Sequence, residues 1–292
     1  MSSMNSVLDR VSDFPYCQLS RMDELDVLTM DAPWGKTVIA LQGAQLLSYT
    51  PTGDTDLLWL SPQAAFKTGK AIRGGIPVCW PWFGAHPQSS GQPAHGIART
   101  AVWACTGMEM HDDHAVISWV LPASANTPEY PGTLGLKMTL GDDILLSVTI
   151  THHGDMPCQY GLALHSYFPV TDVEKTVITG LADKPYYDKP TGTLQTQRGD
   201  VRLKDEVDRV YKQVDGAYEI VDPVNGNIRI SSSGFKNAIV WNPGQALASK
   251  MQDIGEMAWQ TMVCVESGNV MEDTILLLPG EVFNGALRIG RK

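Results

Sequence analysis

Short runs in which apolar and polar residues alternate, separated by turn residues, dominate the chain. The clearest is a hairpin in which residues 136–140 and 144–151 are joined by the turn 141–143. Its second strand places apolar side chains at every other position: Leu146, Val148 and Ile150. Hydroxyl-bearing residues take the positions between them, which predicts an antiparallel strand with one face toward a core.

Similar runs recur at 37–41, 56–60, 115–121, 177–181, 227–231, 237–241, 261–266, 274–278 and 285–289. Helical patterns are scarce, and the two short candidates are residues 61–66 and 169–176. Many strands at near-regular spacing predict an all-β fold, a large antiparallel β-sandwich with few short helices. The sequence contains no linker, so we expect a single domain over residues 1–292, of which about 1–20 form an N-terminal extension.

Composition narrows the class of protein. The chain has 292 residues, 43% hydrophobic and 18% charged, which excludes a disordered or coiled-coil chain. Its formal net charge is −10, so it lacks the excess of positive charge that nucleic-acid binding requires, and it repels anionic membrane surfaces. An anionic ligand would therefore need a few placed arginines or backbone amides.

The five cysteines indicate a location. They are scattered, odd in number and form no C-x-x-C pair, which predicts reduced thiols and a cytoplasmic protein. The first residues lack the features of a signal peptide, and no apolar run approaches the length of a membrane span.

Two segments in the first third of the chain combine cations with glycine. Arg73-Gly-Gly-Ile-Pro is followed by Trp80-Pro-Trp-Phe-Gly, where two glycines allow close approach of a ligand and three aromatic rings could wall a sugar or a base. His95-Gly-Ile-Ala-Arg99 could present two donors to one oxygen-rich ligand. The structural alternatives are a buried aromatic loop for the first segment, and a turn histidine with a solvated arginine for the second.

Two later segments carry an acid–base pair. In the strand 161–168, His165 shares a face with Ala163 and Tyr167, while Leu164 and its alternate neighbours face the core. In the strand 261–267, Glu266 ends an otherwise apolar run, where a carboxylate is either functional or salt-bridged. A lone, hydrogen-bonded core histidine is the structural alternative for His165.

Other chemistries lack sequence support. The chain contains no nucleotide-binding glycine motif, no serine-hydrolase elbow and no H-E-x-x-H zinc motif. It also shows no cluster of metal ligands with suitable spacing, so we expect no metal and no organic cofactor.

Taken together, seven segments resemble the hexose-6-phosphate mutarotase (glucose-6-phosphate 1-epimerase) family, within the aldose 1-epimerase superfamily. They follow one another in the family's order over roughly residues 20–290. The first five are Arg73-Gly-Gly-Ile-Pro, Trp80-Pro-Trp-Phe-Gly, His95-Gly-Ile-Ala-Arg99, Ala163-Leu-His-Ser-Tyr-Phe and Val207-Asp-Arg-Val-Tyr. The last two are Trp241-Asn-Pro-Gly and Val263-Cys-Val-Glu.

The resemblance implies a galactose mutarotase-like β-supersandwich and an isomerase that interconverts the anomers of a hexose 6-phosphate, with glucose 6-phosphate as the expected substrate. It implies that His165 is the general acid and Glu266 the general base. Arg73 and Arg99 would hold the phosphate, and Asp208 and His95 would contact the sugar. Ser166 departs from the family's usual Thr or Asn, at a position expected to face the core.

Two other functions remain open from the sequence: a non-catalytic module that binds a sugar phosphate, and a mutarotase for free aldoses. The first would not need both His165 and Glu266, and the second would not need both arginines. We expect a small-molecule sugar phosphate as the ligand, no nucleic-acid or membrane partner, and a monomer or weak homodimer.

Overall fold

The computed structural model describes residues 7–125 and 127–291, in which antiparallel strands predominate. The first twelve strands are β1 Cys17–Met22, β2 Leu25–Ala32, β3 Gly35–Ala40, β4 Gln45–Pro51, β5 Val78–Cys79, β6 Ala104–Met110, β7 Ala115–Val120, β8 Gly132–Leu140, β9 Ile144–His152, β10 Cys158–Tyr160, β11 Leu162–Leu164 and β12 Tyr167–Pro169. The remaining strands are β13 Val177–Thr179, β14 Pro185–Asp188, β15 Thr193–Thr196, β16 Val201–Arg202, β17 Val207–Tyr211, β18 Ala217–Asp222, β19 Gly226–Ser233, β20 Asn237–Asn242, β21 Met262–Asn269, β22 Ile275–Leu277 and β23 Val282–Arg291.

Within residues 7–125 and 127–291, helical structure is limited to short pieces. One α-helix, α1, spans Gly244–Ala248. The 3₁₀ segments are Leu8–Asp13, Ala98–Thr100, Ala123–Ala125, Ala258–Thr261 and Met271–Asp273. No helix of the described residues is long and apolar enough to cross a membrane.

The strands form two large sheets and two small ones. A nine-stranded sheet has the order β16-β13-β18-β19-β23-β9-β8-β7-β6. An eight-stranded sheet has the order β15-β14-β17-β20-β21-β11-β5, and β12 pairs with β21. The strands β1 to β4 form a four-stranded sheet, and β10 pairs with β22.

The main hydrophobic cluster lies between these sheets. It includes Leu146 and Val148 of the nine-stranded sheet, Val263 and Val265 of the eight-stranded sheet, and Ile39 of the four-stranded sheet. All five side chains are almost completely buried. The second face of the eight-stranded sheet is therefore left free to carry polar groups, and this face holds the candidate site described below.

The large antiparallel β-sandwich predicted from the sequence is confirmed. The hairpin is β8 and β9, with Leu140 paired to Ile144 across the turn. The expectation of a strand at 56–60 is wrong, because among the described residues this segment makes only an isolated bridge between Leu60 and Gly74. The single-domain division stays a prediction, and the main cluster extends from Leu8 to Ile289.

Neither predicted helix forms. In 61–66, the Ser61 hydroxyl accepts a hydrogen bond from the Gln63 amide and donates one of 2.6 Å to the Asp253 carbonyl, which fixes a turn. In 169–176, the Asp172 carbonyl accepts from two following amides, but the Val173 amide donates to the Gln260 carbonyl instead of to its own segment. Tertiary hydrogen bonds replace the helical ones at both places.

The glycines after Arg73 serve the chain itself. Gly75 has φ +61°, and a Cβ there would lie 2.2 Å from the Leu46 carbonyl oxygen. At Gly74, φ is +120° and a Cβ would lie 2.6 Å from the Leu60 Cα. The sequence predicted close approach of a ligand to these glycines. The structure shows instead a close approach of backbone to backbone, which fixes the path of the chain directly after Arg73.

Candidate active site

Strand register places the polar side chains of the eight-stranded sheet on one face. Glu266 of β21 lies opposite Ile239 of β20, and Asp208 of β17 lies opposite Trp241 of β20. Residues directly opposite each other on neighbouring strands share a face. Because Val265 packs in the main core, Glu266 next to it projects from the other face.

His165 lies in the two-residue break between β11 and β12, both of which pair with β21. Leu164 is paired with Ser267, and Tyr167 is paired with Cys264. Counting between these pairs leaves His165 opposite Glu266. The His165 amide donates a hydrogen bond of 2.9 Å to the Pro77 carbonyl, which holds the break in place.

His165 and Glu266 form a buried pair. The Nδ1 atom of His165 is 3.4 Å from Oε1 of Glu266, and the side chains are 9% and 1% exposed. His165 Nδ1 and Glu266 Oε2 have no hydrogen-bond partner among the described residues. Burial raises the pKa of Glu266 well above its usual value and lowers that of His165, so burial favours the neutral form of each group.

Aromatic rings fix the imidazole. The ring of Tyr167 lies parallel to that of His165, with a centroid separation of 4.8 Å and an angle of 6°. Trp241 meets His165 edge-on at 6.2 Å, and Trp59 stacks on the other side of Tyr167 at 5.9 Å. Packing of this kind leaves the imidazole little rotational freedom.

Arg73 reaches the same site and is held by two partners. Its Nε donates to Oδ2 of Asp253 at 3.0 Å, and its NH1 donates to the Tyr167 hydroxyl at 2.8 Å. Its guanidinium also lies 5.8 Å from the centroid of the Trp241 ring. Asp253 belongs to the loop after α1, and the Ser61 hydroxyl anchors that loop by donating to the Asp253 carbonyl.

His95 approaches from the loop between β5 and β6. Its φ is +65°, and its Nδ1 accepts a hydrogen bond of 3.4 Å from the Gly84 amide. Burial and then the charge of Arg99 lower the pKa of His95 to about 3. A neutral imidazole that accepts at Nδ1 carries its proton on Nε2, which can donate to a ligand.

Asp208 and Lys189 form the opposite side of the site. The Lys189 Nζ is 3.0 Å from Oδ1 of Asp208 and lies 5.2 Å from the centroid of the Phe83 ring. Burial raises the pKa of Asp208, and the neighbouring Lys189 cation opposes this effect. Lys189 follows β14 directly, and its amide donates to the Asp208 carbonyl.

These groups enclose a cavity of about 210 Å³. Its lining residues are Arg73, Phe83, His95, His165, Lys189, Asp208, Ile239, Trp241, Met251 and Glu266. Pockets that bury a drug-sized ligand usually measure about 300–1,000 Å³, so this smaller cavity suits a ligand of about one ring.

Comparison with known proteins identifies the family of this chain. Residues 26–290 match the family model described as aldose 1-epimerase. The chain belongs to this family.

A protein from Escherichia coli (strain K12), named as a candidate glucose-6-phosphate 1-epimerase, is 35% identical over 270 residues, 91% of this chain and 90% of the relative. A crystal structure from Salmonella typhimurium, described as a candidate mutarotase, has a TM-score of 0.89, 30% identity and coverage of 98% of this chain and 100% of its own. A galactose mutarotase-like protein from Clostridium acetobutylicum has a TM-score of 0.71 at 13% identity, covering 95% and 99% of the two chains, and this likeness supports the fold alone.

Five of the six site residues expected from the aldose 1-epimerase family resemblance line the cavity: Arg73, His95, His165, Asp208 and Glu266. Arg99 is not among the lining residues. Its NH2 donates to the Ala94 carbonyl at 2.8 Å, next to His95, and its charge lowers the pKa of His95.

Sequence reasoning missed Lys189, Met251 and Asp253. Lys189 belongs to a polar hairpin with no distinguishing pattern, and the other two belong to an irregular loop. Of the three aromatic rings expected to line the binding site, Phe83 lines the cavity. Trp80 is instead fully buried and stacked on Tyr160 at 5.8 Å.

Trp82 belongs to a separate, larger depression of about 670 Å³. This depression is also lined by Tyr130, Cys158 and Leu276, and shares Phe83 with the smaller cavity. It contains neither His165 nor Glu266, which both line the smaller cavity of this aldose 1-epimerase family member.

Proposed function

We propose that the protein interconverts the α and β anomers of a hexose 6-phosphate, with glucose 6-phosphate as the expected substrate. The observation that carries this proposal is the buried His165–Glu266 pair, 3.4 Å apart, facing a cavity that also presents Arg73 and Lys189. The names of the relatives, which include glucose-6-phosphate 1-epimerase and mutarotase, support the same activity.

Anomer exchange requires one base and one acid. Glu266 takes the proton from the C1 hydroxyl while His165 gives a proton to the ring oxygen, and the bond between C1 and the ring oxygen breaks. The aldehyde rotates about the C1–C2 bond, and reversal of both proton transfers closes the ring on its other face. Each positioned acid or base contributes about 10²–10⁴-fold to the rate.

The scheme needs Glu266 as a carboxylate and His165 as an imidazolium when the ring opens. A protonated Glu266 with a neutral His165 differs from a carboxylate with an imidazolium only in the position of one proton. Burial favours the neutral arrangement, whereas the positive charges of Lys189 and Arg99 favour the carboxylate. Both arrangements hold one proton to give and one site to receive, so the two groups act as a coupled unit.

Local cations supply the attraction for a phosphate. In a chain of net charge −10, Arg73 and Lys189 present their charges to the cavity, although each is paired with a carboxylate. Arg99 adds its charge from beside His95. We propose that the phosphate lies at the mouth near these cations and that Asp208 and the Nε2 proton of His95 bind sugar hydroxyls.

The two rival functions have less support. A non-catalytic module gains nothing from burying an acid and a base with unpartnered atoms, since each buried unpaired group costs about 1–3 kcal/mol. A mutarotase for free aldoses has no need of Arg73, Lys189 and Arg99 together around one small site.

The deciding experiment is NMR measurement of anomer exchange with glucose 6-phosphate, glucose and galactose side by side. We expect catalysed exchange that is fastest for glucose 6-phosphate. His165→Ala and Glu266→Gln should each remove most of the catalysis while the fold, checked by circular dichroism, stays intact. Binding of glucose 6-phosphate without exchange would favour the non-catalytic module, and faster exchange of a free sugar would favour the third function.

Two further expectations stay predictions. The five cysteines are all free thiols, which supports a reducing, cytoplasmic location. The monomer or weak homodimer predicted from the sequence awaits a measurement of molecular mass in solution.

A further inference from the structure

A third titratable side chain lies beside the acid–base pair and has no part in the proposed chemistry. Cys264 is two residues before Glu266 on β21, so both side chains project from the same face of the sheet. One ligand atom each of His165, Cys264 and Glu266 lies within 4.8 Å of the others. All three residues are buried.

This set of donors is one that zinc prefers. Imidazole nitrogen, thiolate sulfur and carboxylate oxygen bind Zn²⁺ at about 2.0–2.3 Å, which places ligand atoms of a tetrahedral site about 3.3–3.6 Å apart. The His165 Nδ1 and Glu266 Oε1 atoms are already 3.4 Å apart. Small rotations of the Cys264 and Glu266 side chains would complete the approach.

The polar atoms at this point also lack partners. Nδ1 of His165 and Oε2 of Glu266 are buried and accept or donate no hydrogen bond among the described residues. Buried polar groups are ordinarily satisfied, so two unsatisfied atoms on neighbouring side chains are compatible with an additional ligand. Cys264 itself is completely buried beside Tyr167 and Trp59.

We propose that His165, Cys264 and Glu266 form an inhibitory binding site for Zn²⁺, in which the metal occupies the acid–base pair and leaves its fourth position open to the cavity. Inhibition rests on the proposed function, whereas metal binding does not. On binding, the Cys264 thiol and the Glu266 carboxyl each release a proton to solvent as the zinc–sulfur and zinc–oxygen bonds form, and the neutral His165 binds through the lone pair of Nδ1.

Cobalt provides a readout that does not depend on activity. Co²⁺ takes zinc sites and shows a thiolate-to-metal charge-transfer band when a cysteine binds it. We expect the wild-type protein to show this band, and Cys264→Ser and Cys264→Ala to lack it. Cys158→Ser is the matched control, because Cys158 lines the separate larger depression and should leave the band unchanged.

Inhibition of exchange is the second readout. Zn²⁺ should inhibit anomer exchange by the wild type and by Cys158→Ser, and EDTA should restore full activity. Cys264→Ala should retain exchange without metal and need about 10–100-fold more zinc for half inhibition. Removing a residue that merely supports a metal ligand already lowers metal affinity by about this factor, so removing a ligand should cost at least as much.

The outcomes separate the two proposals. A cobalt band that depends on Cys264, in a protein without exchange activity, would support the metal site and refute the proposed function. Exchange activity with no such band, or with equal zinc sensitivity in wild type and Cys264→Ala, would refute the metal site alone. If Cys264→Ser fails to fold, Cys264→Ala decides the question through the same two readouts, the cobalt band and the zinc sensitivity of exchange.

Discussion

Arg73 donates a hydrogen bond of 2.8 Å to the hydroxyl of Tyr167, the residue whose ring lies parallel to the imidazole of His165. A cation that lines the cavity is thereby connected to the ring that stacks on the proposed general acid. If Arg73 holds the phosphate as proposed, phosphate binding and the orientation of His165 are coupled through one tyrosine.

Tyr167→Phe tests this coupling. The variant keeps the ring stack and removes the hydroxyl, so the proposed acid should stay in place while Arg73 loses one support. Hydrogen bonds to charged groups contribute about 1.5–3 kcal/mol, so we expect kcat/KM for glucose 6-phosphate to fall by about 10–150-fold, mainly through KM. Tyr186→Phe loses a hydroxyl bonded to Gln195 outside the cavity and should change neither constant. A fall in kcat alone would contradict the coupling.

The phosphate contacts are tested by comparing substrates. Arg73→Ala should lower kcat/KM for glucose 6-phosphate by about 10–150-fold and hardly affect residual activity on glucose, which has no phosphate. Lys189→Met should behave in the same way. Arg99→Ala should show a smaller selective loss, because Arg99 lies outside the cavity lining. Equal losses on the two sugars would show that a residue supports the fold or the catalytic pair instead of the phosphate.

Burial of Glu266 should reduce stability as pH rises. The unfolded chain releases the Glu266 proton near its usual pKa of 4.5, whereas the folded protein retains it to higher pH. Between these two values the unfolded state binds fewer protons, so the free energy of unfolding falls with increasing pH. Glu266→Gln mimics the neutral acid and should be more stable than wild type at about pH 7, by about 1.4 kcal/mol per unit of raised pKa.

Urea unfolding of both proteins at about pH 7 and about pH 4 measures this difference, which should vanish at the lower pH. Glu206→Gln, at an exposed position, is the control and should match wild type at both. A variant less stable than wild type at about pH 7 would mean that the Glu266 carboxylate is ionised in the folded protein.

Gly75→Ala tests the backbone that carries Arg73. A Cβ at Gly75 would lie 2.2 Å from the Leu46 carbonyl oxygen, and φ is +61°. Gly53 also has a positive φ, +82°, but a Cβ there meets no atom within 4 Å. Left-handed backbone alone costs about 1–3 kcal/mol, so Gly53→Ala should lose about this much stability and Gly75→Ala more. Equal unfolding midpoints for the two variants would refute the role of the close contact.

Local pattern predicted the strands well and the connections poorly. Alternation at Leu146, Val148 and Ile150 is visible in sequence because one side of each strand must be buried. The segment 56–60 is also mostly apolar, and Leu57, Leu58 and Trp59 are buried. It packs in the interior without pairing as a strand. Whether an apolar run pairs or simply packs depends on distant segments, which the local pattern does not contain.

In the candidate site too, residues on strands could be predicted from the sequence, whereas residues on connections could not. His165 and Glu266 could be found because a titratable residue interrupts an apolar strand, and the family resemblance gave them roles. Lys189 and Asp253 could not, since a polar residue in a hairpin or an irregular loop has the same sequence appearance in solvent and in a cavity. Arg99 was expected to contact the phosphate, but the position of its side chain depends on a hydrogen bond to the Ala94 carbonyl in the preceding loop.

The proposed acid and base are held by the sheet, whereas the cations around them come from its connections. Glu266 and His165 are fixed by the register of β21 with its neighbours, and a slip of one residue would turn both away. Arg73, Lys189 and Asp253 stand on segments between strands. Loop changes alone can therefore alter the charges that a substrate would meet, while the strand register keeps the proposed acid–base pair in place.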